Sequence, residues 1–136
     1  MKITKITIML FSGIILYSCF KQPDIIPPEA EIVELKDITD TSASFKVIVT
    51  SWSNAEYDEY ITIWIDTLEI TLTSPIFSYP FYPMVLDSIY TVDVTGLYPN
   101  THYYSRIYYD GLFNIGGPNE MKTFLLGEEK EFTTLP

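Results

Sequence analysis

Cysteine and histidine each occur once in these 136 residues. The single thiol, Cys19, has no partner for a disulfide. One His and one Cys cannot build a zinc site, which needs several such ligands. A nucleophile–His–carboxylate arrangement would have to use His102, which lies in turn-rich sequence, and no serine stands in a nucleophile-elbow pattern. Basic residues are also few. Eight Lys and Arg face 18 Asp and Glu, a formal net charge of −10. Such a chain cannot neutralise phosphates, so nucleic acid is excluded as a partner. The acidity keeps the chain soluble. The carboxylate clusters Glu56, Asp58, Glu59 and Glu128, Glu129, Glu131 are close in sequence, whereas glycosidase chemistry needs two carboxylates facing across a cleft. Asn54, Glu56 and Asp58 offer hard oxygen ligands of the kind calcium takes, but no EF-hand spacing surrounds them. The reading is therefore of a protein that is not an enzyme, with no metal and no cofactor. No internal repeat, low-complexity tract or second domain interrupts the chain.

Aromatic residues are abundant. Eleven Tyr and eight Phe against four Met point to sheet rather than to a helix bundle. Glu31 to Leu35 is a candidate first strand. Phe45 to Thr50 is a second, with Phe45, Val47 and Val49 alternating toward a core. Tyr60 to Asp66 places Ile61, Ile63 and Ile65 on one face and Tyr60, Thr62 and Trp64 on the other. Leu68 to Leu72 suggests a short further strand. Ile76 to Met84 holds three prolines within or beside it, counting Pro75, and these exclude a central strand. It reads as an aromatic loop containing Phe77, Tyr79, Phe81 and Tyr82. Ile89 to Val94 resumes alternation. Asp110-Gly111 and Gly116-Gly117-Pro118-Asn119 mark a long loop, with a small strand at Met121 to Leu126 inside it.

The most specific stretch runs from Val94 to Tyr109. Gly96 and Pro99-Asn100 are turn residues, and Thr101 to Tyr109 is β-branched and aromatic. The order Gly-Leu-x-Pro-Asn-Thr-x-Tyr-Tyr resembles the E–F corner of fibronectin type III domains. Thr-x-Ser-Ala-x-Phe before the second strand resembles the same family, and Lys130 to Leu135, with its Phe-Thr-Thr, resembles that family's final strand. The resemblance covers Pro28 to Pro136 and implies an antiparallel immunoglobulin-like β-sandwich. It assigns Leu97, Pro99, Thr101 and Tyr103 to a structural corner, with the Tyr103 hydroxyl folded back onto the turn. It also places Tyr103, Ser105, Ile107 and Tyr109 inward and Tyr104, Arg106 and Tyr108 outward. The chain departs from the family in lacking the usual Trp of the second strand and in its longer F–G region.

Two aromatic clusters are candidate binding surfaces. The first is Trp64 with Tyr104, Arg106 and Tyr108, where Arg106 would stack between tyrosines. It is either a platform for a sugar ring or protein partner, or cross-strand packing on an exposed sheet face. The second is the loop with Phe77, Tyr79, Phe81 and Tyr82. It is either a protruding anchor or a cap over the end of the sandwich.

The N-terminus reads separately. Lys2 and Lys5 precede the apolar run Ile6 to Tyr17, which is shorter than the roughly 20 residues of a membrane span. Leu16-Tyr17-Ser18-Cys19 resembles a bacterial lipobox. That resemblance implies a signal peptide over 1–18, lipid on Cys19, a proline-stiffened tether over 19–28, and the domain over 29–136. It further implies an envelope address, on the outer membrane of a Gram-negative bacterium, with the membrane as partner through the lipid. The function expected is a non-catalytic module that binds protein or carbohydrate. The alternative is an accessory subunit of an envelope assembly with no ligand of its own. Labelling with a fatty-acid analogue should mark the wild type and leave Cys19→Ala unmarked. Equal label in both would remove the anchor.

Overall fold

The computed structural model describes residues 23–136, apart from the side chains of residues 57–60. Expectations about residues 1–22, Cys19 among them, and about the side chains of Asp58, Glu59 and Tyr60 lie outside the described residues. Seven strands form two antiparallel sheets stacked as a β-sandwich, with no helix among the described residues. They are β1 (Glu29–Lys36), β2 (Ser42–Ser51), β3 (Tyr57–Asp66), β4 (Phe77–Phe81), β5 (Ile89–Thr95), β6 (His102–Phe113) and β7 (Glu120–Thr133). One sheet has the order β1-β2-β5 and the other β4-β3-β6-β7.

Period-two patterning explains the core. Phe45, Val47 and Val49 of β2 are fully buried, as are Ile63 and Ile65 of β3. Tyr103, Ser105, Ile107 and Tyr109 of β6 are fully buried too, while Tyr104, Arg106 and Tyr108 are only partly covered. Phe45 meets Phe132 edge-on between the two sheets, and Tyr103 stacks on Phe132, its partner in the β6–β7 ladder. Buried Ser105 donates to the Lys130 carbonyl at 2.9 Å, so the one polar inward position of β6 is satisfied.

The corner between β5 and β6 is tightly bonded. Gly96 and Asn100 both adopt positive φ, 79° and 48°. The Tyr98 N–H donates to the Tyr103 hydroxyl at 2.8 Å. Leu97 is buried, and Thr101 Oγ1 donates to the Pro99 carbonyl at 2.9 Å. Thr134 closes the corner from the C-terminal side. Its hydroxyl donates to the Tyr98 carbonyl at 2.6 Å and accepts from the Thr101 N–H at 2.9 Å.

Three expectations need correction. Leu68 to Leu72 is not a strand. Its Ile70 is buried, and the Ile70 N–H donates to Glu129 Oε2 at 2.7 Å, so this loop reaches past β6 to β7. The aromatic stretch from Ile76 is instead strand β4 at the edge of its sheet, where Pro80 interrupts no second ladder. The expected long loop after Asp110 is a long β6–β7 hairpin turning at residues 114–119. Gly111 is not a turn residue. A Cβ there would collide with the Tyr109 ring, which folds along the strand to bond Ser53 Oγ at 2.8 Å. Within the expected tether, the described residues meet the domain. Ile25 packs against the core, and Asn54 fixes the chain on both sides: its side chain donates to the Asp24 carbonyl at 2.7 Å and accepts from the Ile26 N–H at 2.8 Å.

The continuous β7 contains a bulge. Ser105 pairs with Lys130 but Ile107 pairs with Leu126, so Gly127, Glu128 and Glu129 face Arg106 alone. Gly127 has φ +62°, and a Cβ there would lie 2.8 Å from the Ala30 carbonyl oxygen. The bulge therefore needs glycine both for its backbone conformation and for the close approach of β1.

Tyr103→Phe removes only the hydroxyl and should cost about 1–2 kcal/mol. Tyr103→Ala also opens a cavity and should cost about 3–5 kcal/mol. Tyr104→Phe should change little. Chemical denaturation checks the order, and greater sensitivity at Tyr104 would contradict the register.

Candidate functional site

Antiparallel pairing of β3 with β4 and β6 builds a shared outer face. Trp64 lies opposite Ser78 on one side and Arg106 on the other, and Thr62 lies opposite Pro80 and Tyr108. The diagonal pair Trp64 and Tyr108 stacks, with ring centroids 3.7 Å apart and planes 12° from parallel. Around this stack is an open cleft of about 350 Å³, lined by Thr62, Trp64, Ser78, Pro80, Tyr108 and Asp110.

The polar side of the cleft is organised by Asp110. Its Oδ1 accepts from the Tyr108 hydroxyl at 2.8 Å and from Thr123 Oγ1 at 2.5 Å. Both bonds fall on one carboxylate oxygen, so Tyr108 and Thr123 fix the Asp110 carboxylate at the cleft. Burial pushes the Tyr108 hydroxyl above its ordinary value of 10.0. The bond with Thr123 opposes this, and the bond and negative charge of Asp110 reinforce it. The cleft thus combines an aromatic ring, a carboxylate and two aliphatic hydroxyls, from Ser78 and Thr62. Such a set recognises hydroxyl-bearing or amide-bearing ligands, and it contains no nucleophile–base pair.

Of the four residues first placed on this face, two meet. Trp64 and Tyr108 form the stack, but Trp64 is only 8% exposed and offers little free surface. Arg106 does not stack between tyrosines. Its Nε donates to the Gly127 carbonyl at 3.1 Å, because the bulge brings that oxygen within reach. Tyr104 lies with His102, ring centroids 5.1 Å apart and perpendicular, away from the cleft. His102 itself contacts Thr133 and Glu131 at the surface.

The second aromatic cluster divides by strand alternation. Phe77, Tyr79 and Phe81 turn toward the core and Tyr82 is 70% exposed. Phe77 lies against the rings of Tyr98 and Tyr103. The Tyr79 hydroxyl donates to the Thr95 carbonyl, and burial raises its pKa above 10.0, against that bond and with help from Tyr103. Phe77 and Tyr79 tie the edge of the four-stranded sheet to the corner.

Sequence reasoning missed Ser78, Pro80 and Asp110. Alternation of Phe77, Tyr79 and Phe81 carried the signal for the first two, since it sends Ser78 and Pro80 to the opposite face. Asp110-Gly111 read as a turn and so hid Asp110 as a strand residue. Of the oxygen-rich loop residues, the side chain of Asp58 lies outside the described residues. Asn54 holds the N-terminal segment and Glu56 accepts from Asn119 at 2.5 Å. No group of three or more metal-ligating residues occurs among the described residues. A second open cleft, of about 470 Å³, follows the seam between β1 and β7 along Pro28, Ala30, Leu125 and Gly127.

No protein-family model matches this chain, and no curated protein matches it. Among solved structures the chain is similar to the sensor domain of the anti-sigma factor RsgI4 in Pseudobacteroides cellulosolvens. The TM-score is 0.49 and the identity 17%, over 80% of this chain and 95% of that one. A likeness at this level carries no functional inference.

The neutral phenol of Tyr108 is favoured in the fold. Its contribution is therefore complete below pH 10.0 and is lost as pH rises through the raised pKa. Tyr79 and Tyr108 should both titrate late by ultraviolet absorbance, and Tyr108→Phe should remove the step that belongs to Tyr108. Asp110→Asn should move that step downward, since it removes the negative charge. A step unchanged in Asp110→Asn would show that the carboxylate does not act on Tyr108.

Proposed function

We propose that this chain is a non-catalytic cell-envelope lipoprotein whose sandwich is of the fibronectin type III kind. In this reading it is an interaction module, and the outer face of the β4-β3-β6-β7 sheet receives a carbohydrate or an extended protein segment. The fold type is supported by the strand order β1-β2-β5 and β4-β3-β6-β7 and by the Tyr103–Tyr98 bond. The anchor is supported by the sequence Leu16-Tyr17-Ser18-Cys19 after an apolar run, with an outer-membrane address.

The observation that carries the binding reading is the cleft around the Trp64–Tyr108 stack, with Asp110 on its rim. A rigid ring loses little entropy when a ligand settles on it, and a fixed carboxylate gives direction to the contact. One observation favours the second reading, an accessory subunit without a ligand. Trp64 is nearly covered, as a residue that serves only cross-strand packing would be.

Stability and binding have to be separated. Trp64→Ala should cost about 3–5 kcal/mol of stability and is a poor test. Ser78 is exposed at the cleft, so Ser78→Trp fills the space without removing a packed group. Wild type and Ser78→Trp are compared by melting, then against a glycan panel and an envelope extract. With melting unchanged, a retained ligand should bind at least about 10-fold more weakly to the variant, or about 1.4 kcal/mol. Equal binding by both proteins would exclude the cleft. The absence of any retained ligand would favour the accessory reading.

A further inference from the structure

The pairing registers place the start of β1, the end of β2, the start of β3, the end of β4, the start of β5 and the β6–β7 turn at one end of the sandwich. The chain enters the fold at this end, where Asn54 clamps Asp24 and Ile26. The same end carries apolar side chains that the fold does not cover. Ile26 is 53% exposed, Trp52 40%, Tyr82 70%, Met84 86%, Val85 58% and Ile89 60%. Tyr82 to Val85 form part of the β4–β5 connection, which is held in place. The Tyr90 hydroxyl accepts from the N–H groups of Met84 and Val85, at 2.9 and 2.7 Å, and donates to the Val85 carbonyl. The Asp87 N–H donates to the Val49 carbonyl at 2.9 Å. The exposed methionine and valine are therefore displayed on a fixed turn.

We propose that this end of the sandwich rests on the bilayer surface, with Trp52, Tyr82, Met84 and Val85 inserted at the headgroup–acyl boundary. The proposal rests on the lipoprotein reading of Cys19, and the length of chain outside the described residues carries it. Four residues lie between Cys19 and the clamped Asp24, which makes five Cα–Cα steps. Fully extended, they span at most about 18 Å. A lipid on Cys19 thus confines this end of the domain to the vicinity of the headgroups. Apolar and aromatic side chains at that distance gain by leaving water, and Trp and Tyr favour this boundary. The opposite end also exposes Leu68, Leu72 and Tyr98. It lies a strand length further away, roughly 33 Å for ten residues, and cannot reach the surface in this orientation. Asp24, Glu29, Asp87 and Glu120 stand at or near the docking end. The surface it fits is consequently zwitterionic rather than anionic. Docked in this way, the outer face of the β4-β3-β6-β7 sheet stands upright and open to the side.

The test uses the full lipid-bearing protein in phosphatidylcholine vesicles, with and without bromine on the acyl chains. The chain has two tryptophans, so Trp64→Phe leaves Trp52 as the sole emitter. Trp52 emission should be quenched by brominated lipid. Adding Met84→Glu with Val85→Glu should abolish quenching while the protein stays on the vesicles, whereas Leu68→Glu with Leu72→Glu should leave it intact. Both residues of the docking pair are exposed, and Met84→Ser with Val85→Ser gives a second pair should the charged one melt early. Protein retained on vesicles with Trp52 unquenched would overturn the docking and leave the anchor standing. Protein that neither carries lipid nor stays with vesicles would overturn both. A stable dimer that Met84→Glu dissolves, with no quenching, would assign the patch to a second copy instead.

Discussion

The bond between the Tyr98 amide and the Tyr103 hydroxyl sets the rest of this molecule. It joins the corner to the first inward residue of β6 and thereby fixes which half of that strand faces the core. Side chains alternate with a period of two, so a slip of one residue would exchange the two halves. With Tyr103 inside, Ser105, Ile107 and Tyr109 follow it inward. Arg106, Tyr108 and Asp110 are then bound to face outward. The candidate cleft is a consequence of that one register. Thr134 reinforces it from the far end of the chain, so the first and last turns of the β6–β7 ribbon share one hydrogen-bonded unit.

The bulge in β7 divides the outer face into two regions with different fates. Near it, the Gly127 carbonyl takes the Arg106 guanidinium and the Glu129 carboxylate takes the Ile70 amide. Polar groups there are matched within the protein. Beyond it, the stack of Trp64 on Tyr108 and the Asp110 carboxylate remain beside an open cleft. A cation placed by sequence beside two tyrosines was thus drawn away by a backbone oxygen. Three residues opposing one bring that oxygen out of the ladder, and strand periodicity carries no trace of it.

The cleft and the apolar end at which the chain enters differ in how they are held. The cleft sits on hydrogen-bonded strands in the middle of a sheet. The Met84–Val85 turn is a loop fixed by one phenol, Tyr90, from the neighbouring sheet. Both are preorganised, and neither needs the core to open before a surface can meet it. They point in different directions, one from the flank of the sandwich and one from the end at which the chain enters.

The amino-acid sequence by itself determined the layered class, the inward sets of β2, β3 and β6, and the corner. These depend on alternation and on turn residues, which are local properties. It also carried the single thiol after an apolar run, which no tertiary contact is needed to see. What only the tertiary structure decided came from contacts between distant segments. Leu68 to Leu72 alternates weakly like a strand, yet its Ile70 amide is satisfied by Glu129. Phe77 to Phe81 contains proline, yet an edge position spares it the missing donor. Gly111 reads as a turn, yet its missing side chain is the space the Tyr109 ring fills. Whether Trp64 is presented or covered could not follow from its place on β3. It depended on Tyr108 lying across the strand pair, and a ring 3.7 Å away is a property of the folded sheet alone.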